Sequence, residues 1–140
     1  MPYRIFFRRI RRTRRVRRKP SDRKEYLLQR ESARVLVMER LTHFVAEYTK
    51  LDPILGQSMK YNRVSIRNQR GRWGSCSSKK NLNFNYRILT LSPELRDYII
   101  VHELCHLKEL HHGESFWKLV ERVIPNGQAL NVQARRMKLG

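Results

Sequence analysis

Acidic residues are scarce in this chain. Twelve Asp and Glu stand against 31 Lys and Arg in 140 residues, and the formal net charge is +19. Cysteine is nearly absent: Cys76 and Cys105 alone cannot make a disulfide framework, so a reduced, cytoplasmic setting is expected. No run approaches the ~18–20 apolar residues of a membrane span. The N-terminus lacks the apolar core of a secretory signal, because Arg8 follows directly on Ile5-Phe6-Phe7. It also lacks the serines and the amphipathic periodicity of an organellar leader. There are no internal repeats.

What is present suits one folded domain with a single core: 40% hydrophobic and 31% charged residues. The charge is uneven. Residues 1–24 hold twelve of the basic residues and one acid, Asp22. A basic arm of residues 1–23 is therefore expected, disordered and ahead of a folded domain spanning 24–140. Its arginines (Arg8, Arg9, Arg11, Arg12, Arg14, Arg15, Arg17 and Arg18) suit a polyanion such as nucleic acid, since the guanidinium fork matches phosphate. The plainer alternative is a solvated tail.

The folded part reads as helix, strands, then helices. A long helix is expected from about Lys24 to Lys50, with Leu28, Val35, Met38, Leu41, Val45 and Tyr48 as its apolar stripe. Leu51-Asp52-Pro53 and Gly56 close it. Alternation of Val64 and Ile66, and of Leu82, Phe84, Tyr86 and Ile88, predicts strands over Asn62–Asn68 and Asn81–Thr90. Ser77-Ser78-Lys79-Lys80 reads as a hairpin turn, and Trp73 and Cys76 as core or cleft wall. Ser92-Pro93-Glu94 combines a capping serine, a proline at the first helical position and an acid in the first turn. That helix is expected to run to about Leu110–Gly113, with Gly113 in the left-handed region. Further helices are expected over Glu114–Ile124 and Gln128–Lys138, separated by Pro125-Asn126-Gly127.

The helix opened by Ser92 carries His102-Glu103-Leu104-Cys105-His106. Leu95, Ile99, His102 and His106 share one stripe. Imidazoles four residues apart are separated by ~6 Å along the axis and can converge on one ion at the ~2.0–2.1 Å bonds of zinc. Glu103 projects about 100° away, where it can take a proton from water without ligating the metal. Two mere core histidines would leave Glu103 unexplained. A catalytic zinc site needs a third protein ligand. His112 is the first candidate, brought back by a reversal at Gly113; the same ten-residue offset occurs in a longer zinc-protease pattern, where Glu109 stands in place of a glycine. His111 and Glu121 are rivals. Glu109 itself lies one turn too far along the stripe to ligate.

Taken together, Arg67-Asn68-Gln69, Arg72-Trp73-Gly74-Ser75-Cys76-Ser77, Asn81-Leu82-Asn83-Phe84-Asn85-Tyr86-Arg87, Pro93-Glu94-Leu95, His102–Leu107, His112 and Phe116-Trp117 resemble the YgjP-like metallopeptidase domain, a family related to SprT-like and other zincin proteins. The resemblance spans about residues 24–124. It implies an α+β, zincin-like fold: a small twisted antiparallel or mixed sheet packed on the active-site helix, with flanking helices. It further implies zinc held by His102, His106 and His112, with Glu103 as general base. Two features depart from the family pattern. His111-His112-Gly113 replaces the commoner Asn-His-Ser/Gly, and the basic arm stands where relatives have a β-rich segment.

The activity expected is zinc-dependent hydrolysis of peptide or protein substrates. The strand Asn81–Thr90 would offer an edge to an extended peptide, and Arg72, Tyr86 and Arg87 are candidates for oxyanion or substrate contacts. Two other readings use the same residues. One is a nucleic-acid-associated zinc hydrolase, either a nuclease or a protease tethered through the arm. The other is a structural zinc module closed by Cys76 as a fourth ligand. No membrane partner is expected.

Overall fold

The computed structural model describes Tyr3, Arg4 and residues 20–137. The arm arginines Arg8 to Arg18, and the disorder expected there, lie outside the described residues. Helix α1 spans Pro20–Leu51. It starts four residues before Lys24, so the junction expected at 23–24 falls inside the helix. Pro20 suits a first helical position because its missing N–H has no helical partner there. The buried stripe is Ala33, Val37, Leu41, Phe44 and Tyr48. Leu28 and Val35, expected inward, are 72% and 58% exposed. The true stripe runs through Ala33, whose small side chain lets α1 approach its neighbours and adds little to a count of large apolar residues. Polar contacts help hold the helix in place: the Tyr26 hydroxyl donates to the Ile66 carbonyl (3.0 Å), Arg40 grips both oxygens of Asp97 (2.9 and 3.0 Å), and the Tyr48 hydroxyl donates to the Leu119 carbonyl (2.7 Å).

At the end of α1 the chain turns sharply into α2, Pro53–Ser58, whose first N–H groups donate to the Asp52 side chain. The corner is tight: a Cβ on Gly56 would lie 2.1 Å from Thr49 Oγ1.

Four strands form one mixed sheet in the order β1-β3-β4-β2. They are β1 Tyr3–Arg4, β2 Arg63–Arg67, β3 Gly74–Cys76 and β4 Asn81–Asn85. β3 and β4 make the hairpin expected at Ser77–Lys80, with Lys80 in the left-handed region (φ 62°) and Ser77 Oγ accepting from Asn81 N. β2 runs parallel to β4, with Val64 opposite Leu82 and Ile66 opposite Phe84. β4 is thus paired along both edges and offers none to a peptide, contrary to expectation. β1 pairs antiparallel with the outer edge of β3, Tyr3 opposite Cys76.

β4 also ends five residues early. Residues Tyr86–Thr90 form a 3-10 turn because the Asn85 side chain accepts from Arg87 N and bends the chain. Tyr86 and Ile88 stay buried, which preserves the alternation that imitated a strand.

α3, Pro93–Cys105, opens on Ser92, whose Oγ accepts from Leu95 N. Every residue from Tyr98 to Leu107 is buried. The helix forms the centre of the core, packed against α1, β3, β4, α4 (Glu114–Glu121) and α5 (Gly127–Arg136). Gly127 lets α5 come close to α4, since a Cβ there would lie 2.7 Å from Val120 Cγ1. Among the described residues, no helix is long and apolar enough to cross a membrane.

Candidate metal centre

His102 and Glu103 occupy the last turn of α3, and His106 caps it. The helix stops at Cys105, well before the Leu110–Gly113 expected. A turn over residues 106–108 then leads into irregular chain up to Gly113. Gly113 is extended (φ −80°, ψ −173°) and not left-handed. The reversal that returns His112 is therefore made at His106–Lys108, directly after the ligand pair.

The three Nε2 atoms form a nearly equilateral triangle: His102 to His106 3.1 Å, His102 to His112 3.0 Å, and His106 to His112 3.0 Å. Two nitrogens on one tetrahedral zinc stand about 3.3 Å apart at ~2.0–2.1 Å bonds, so the triangle has close to the size a single ion requires. The tautomers fit as well. His106 Nδ1 lies 2.9 Å from the Glu109 carbonyl, which can only accept, so Nδ1 carries the proton and Nε2 presents a lone pair. His102 Nδ1 lies 2.7 Å from the Tyr98 hydroxyl, a partner of the kind that orients metal-bound histidines. Burial holds His102 well below the usual imidazole range and pushes His106 down to about 4, and partial burial lowers the more exposed His112. Neutral nitrogens crowded at 3 Å are the ligand form of histidine. The donor set therefore fits a metal ion.

Phe116 forms the apolar wall of this cluster. Its ring is stacked on His106 (centroids 4.7 Å, 23°) and meets His102 and His112 at 4.8 and 5.0 Å. Trp117 stands edge-on to His102 at 6.3 Å.

Glu103 is fully buried, and among the described residues neither carboxylate oxygen has a hydrogen-bond partner. Burial raises its carboxyl well above the usual range, and the charge of Arg72 pulls in the opposite direction. β3 lies directly against it: a Cβ on Gly74 would meet Glu103 Cγ at 3.0 Å and Oε1 at 3.1 Å. Gly74 thus makes room for the carboxylate.

The other expected site residues divide. Arg72 is half-buried and close enough for its charge to act on Glu103. Tyr86 and Arg87 are braces. Tyr86 is buried edge-on against Tyr26 at 5.4 Å, and the Arg87 guanidinium lies 4.6 Å over the Tyr86 ring. Arg87 Nη1 donates to Asn68 Oδ1 (3.1 Å) and the Gln69 carbonyl (3.2 Å), while Asn85 Nδ2 donates to the Gln69 and Arg72 carbonyls. Together they hold the loop that carries Arg72. His111 and Glu121 are not in the ligand group. Glu109 serves it through its backbone carbonyl. Cys76 and Cys105 are buried free thiols, each pushed up to about 12 by burial, and neither joins the histidines. Sequence reasoning missed Tyr98 and the place of Phe116 against the three rings. Tyr98 had a usable signal: it lies one helical turn before His102 on the same stripe.

Two helix-borne histidines, a buried carboxylate between them and a third histidine from the next loop define a three-histidine metal site of the His-Glu-x-x-His class. The family model for the YgjP-like metallopeptidase domain matches residues 5–136, and the chain belongs to that family. Among solved structures, the crystal structure of the metallopeptidase zymogen of Pyrococcus abyssi abylysin is similar in fold, with a TM-score of 0.52 and 24% identity over 69% of this chain and 90% of that one. A search of curated proteins found no match.

Proposed function

We propose that this chain is a zinc-dependent peptidase of the cytoplasm, acting on peptide or protein substrates. The observation that carries the proposal is Glu103, a fully buried carboxylate without a hydrogen-bond partner among the described residues, beside three neutral nitrogen ligands. When bound, zinc lowers the pKa of water to around 7 and polarises a carbonyl. Glu103 takes the proton of the attacking water and passes it to the leaving amine. Its raised carboxyl suits a group that must first accept a proton and then give it up. Arg72, whose charge acts on Glu103, would steady the negative oxygen of the tetrahedral intermediate. An extended peptide would lie along β3, the strand against Glu103, in the place that β1 takes along its outer edge.

The test is Glu103→Gln, assayed for metal content and for cleavage of an unfolded protein substrate. One zinc per chain should remain, and hydrolysis should fall by about 10²–10⁴-fold. Undiminished hydrolysis would sink the mechanism.

A further inference from the structure

The sheet borders a concave feature at the edge away from β3. A groove of about 690 Å³ runs between α1 and the edge strand β2. α1 contributes Arg30 and Arg34 to its walls and β2 contributes Arg63 and Arg67, against a single carboxylate, Glu31. All four arginines are exposed, while Tyr26 and Tyr61 line the groove half-buried. Among the described residues, none of the four guanidinium groups is in an ion pair, whereas Arg40 and Arg70 are matched to Asp97 and Asp22. Arg67 is oriented by Asn83 Oδ1 at 3.3 Å, and Arg30 lies 5.8 Å over the Tyr26 ring.

Two occupants suit a groove beside an edge strand. A peptide could add itself to β2 as a further strand. Here, however, the Tyr26 hydroxyl already occupies the Ile66 carbonyl, and the flanking arginines defend the edge as charged side chains commonly do. A polyanion meets neither obstacle. Four unmatched cations bordering one recess attract phosphates, and a half-buried tyrosine offers a face for a base to stack on. The recess is concave and lined by half-buried tyrosines, which suits a single strand with splayed bases and not the convex surface of a duplex.

We propose that the α1–β2 groove binds single-stranded nucleic acid, with phosphates held by Arg30, Arg34, Arg63 and Arg67 and a base stacked on Tyr61. Nothing in this proposal depends on the metal centre. The test uses the full chain with the eight arm arginines Arg8 to Arg18 replaced by glutamine, so that the arm does not mask the groove. The probe is a labelled 12-residue oligothymidylate followed by fluorescence anisotropy across a salt series. Arg34→Glu with Arg63→Glu should weaken binding at least tenfold and flatten the log–log salt slope by about 1.4, at roughly 0.7 per phosphate contact on single strands. Tyr61→Ala should weaken binding severalfold and leave the slope unchanged, and Arg34→Lys with Arg63→Lys should retain most of the affinity. Unaltered metal content and melting temperature in the charge-reversed variant show that the fold survives. The proposal is overturned if that variant binds like its parent, or if polyglutamate of equal length competes as well as unlabelled oligothymidylate.

Discussion

At the residue scale the metal centre depends on groups one step removed from the three histidines. Tyr98 faces His102 Nδ1 at 2.7 Å, and the Glu109 carbonyl faces His106 Nδ1 at 2.9 Å. The carbonyl fixes His106 Nδ1 as the donor and leaves Nε2 free for the metal, while the Tyr98 hydroxyl, which can donate or accept, orients the His102 ring. Loss of such a partner typically weakens metal affinity by about 10–100-fold. Tyr98→Phe keeps the buried ring and removes only the hydroxyl. It should therefore weaken zinc binding within that range, read by competition with a chromophoric chelator, without changing the far-UV spectrum. Gly74→Ala acts on the other partner. A Cβ 3.0 Å from Glu103 Cγ must push the carboxylate aside. The expected result is full metal loading with kcat lowered by at least tenfold, and undiminished kcat would show that Glu103 tolerates displacement.

Elements are where the sequence was read best in type and worst in boundary. The Ser92-Pro93 start of α3 was legible because capping is local chemistry: one side chain, one N–H and one proline. So was the pairing of His102 with His106, which needs only helical spacing. Chain reversals were not. The end of α3 at Cys105 and the turn at His106–Lys108 depend on Phe116 and the imidazoles packing together, which no local pattern encodes. The end of β4 at Asn85 was hidden for a related reason, because burial alternates across the 3-10 turn just as it does along a strand. Sheet order was also beyond reach, since β2 and β4 are parallel neighbours joined through β3. The Asn85 brace predicts a measurable cost. Asn85→Ala removes the amide that donates to the Arg72 carbonyl and leaves the Gln69 carbonyl with Arg87 alone, and should lower stability to urea by about 1–3 kcal/mol. β1 carries a prediction of its own. Tyr3–Arg4 pair along the β3 edge where an extended substrate would pair. Removing residues 1–4 should lower KM for a peptide substrate severalfold, and an unchanged KM would show that substrate approaches by another route.

For the whole molecule, metal binding and folding share one set of protons. Burial depresses the folded-state pKa of His102 and His106, so from about pH 6.5 downward the unfolded chain takes up protons that the folded chain refuses. Stability rises with pH wherever the unfolded state binds more protons. The metal-free protein should therefore lose stability as pH falls from 6.5 to about 4, where the folded His106 titrates, and change little above pH 7 on this account. The depression of His106 alone corresponds to about 3 kcal/mol across that window at ~1.4 kcal/mol per pKa unit. Glu103 acts in the opposite sense. Its folded-state carboxyl is raised, so it takes up a proton before its unfolded counterpart and returns part of the loss. A bound metal ion would change the profile further, because a ligand that binds only the folded state adds stability as RT ln(1 + L/Kd), with L its free concentration, and protons compete with it for the same Nε2 atoms. Melting curves with and without zinc should thus be widely separated at pH 7.5 and converge towards pH 5 as protons displace the ion. Curves equally separated at both values would mean that the histidines do not hold the metal. The Glu103→Gln variant should keep the convergence, because Glu103 is not a ligand, and should show a steeper acid loss in its metal-free form once the offsetting carboxyl is gone.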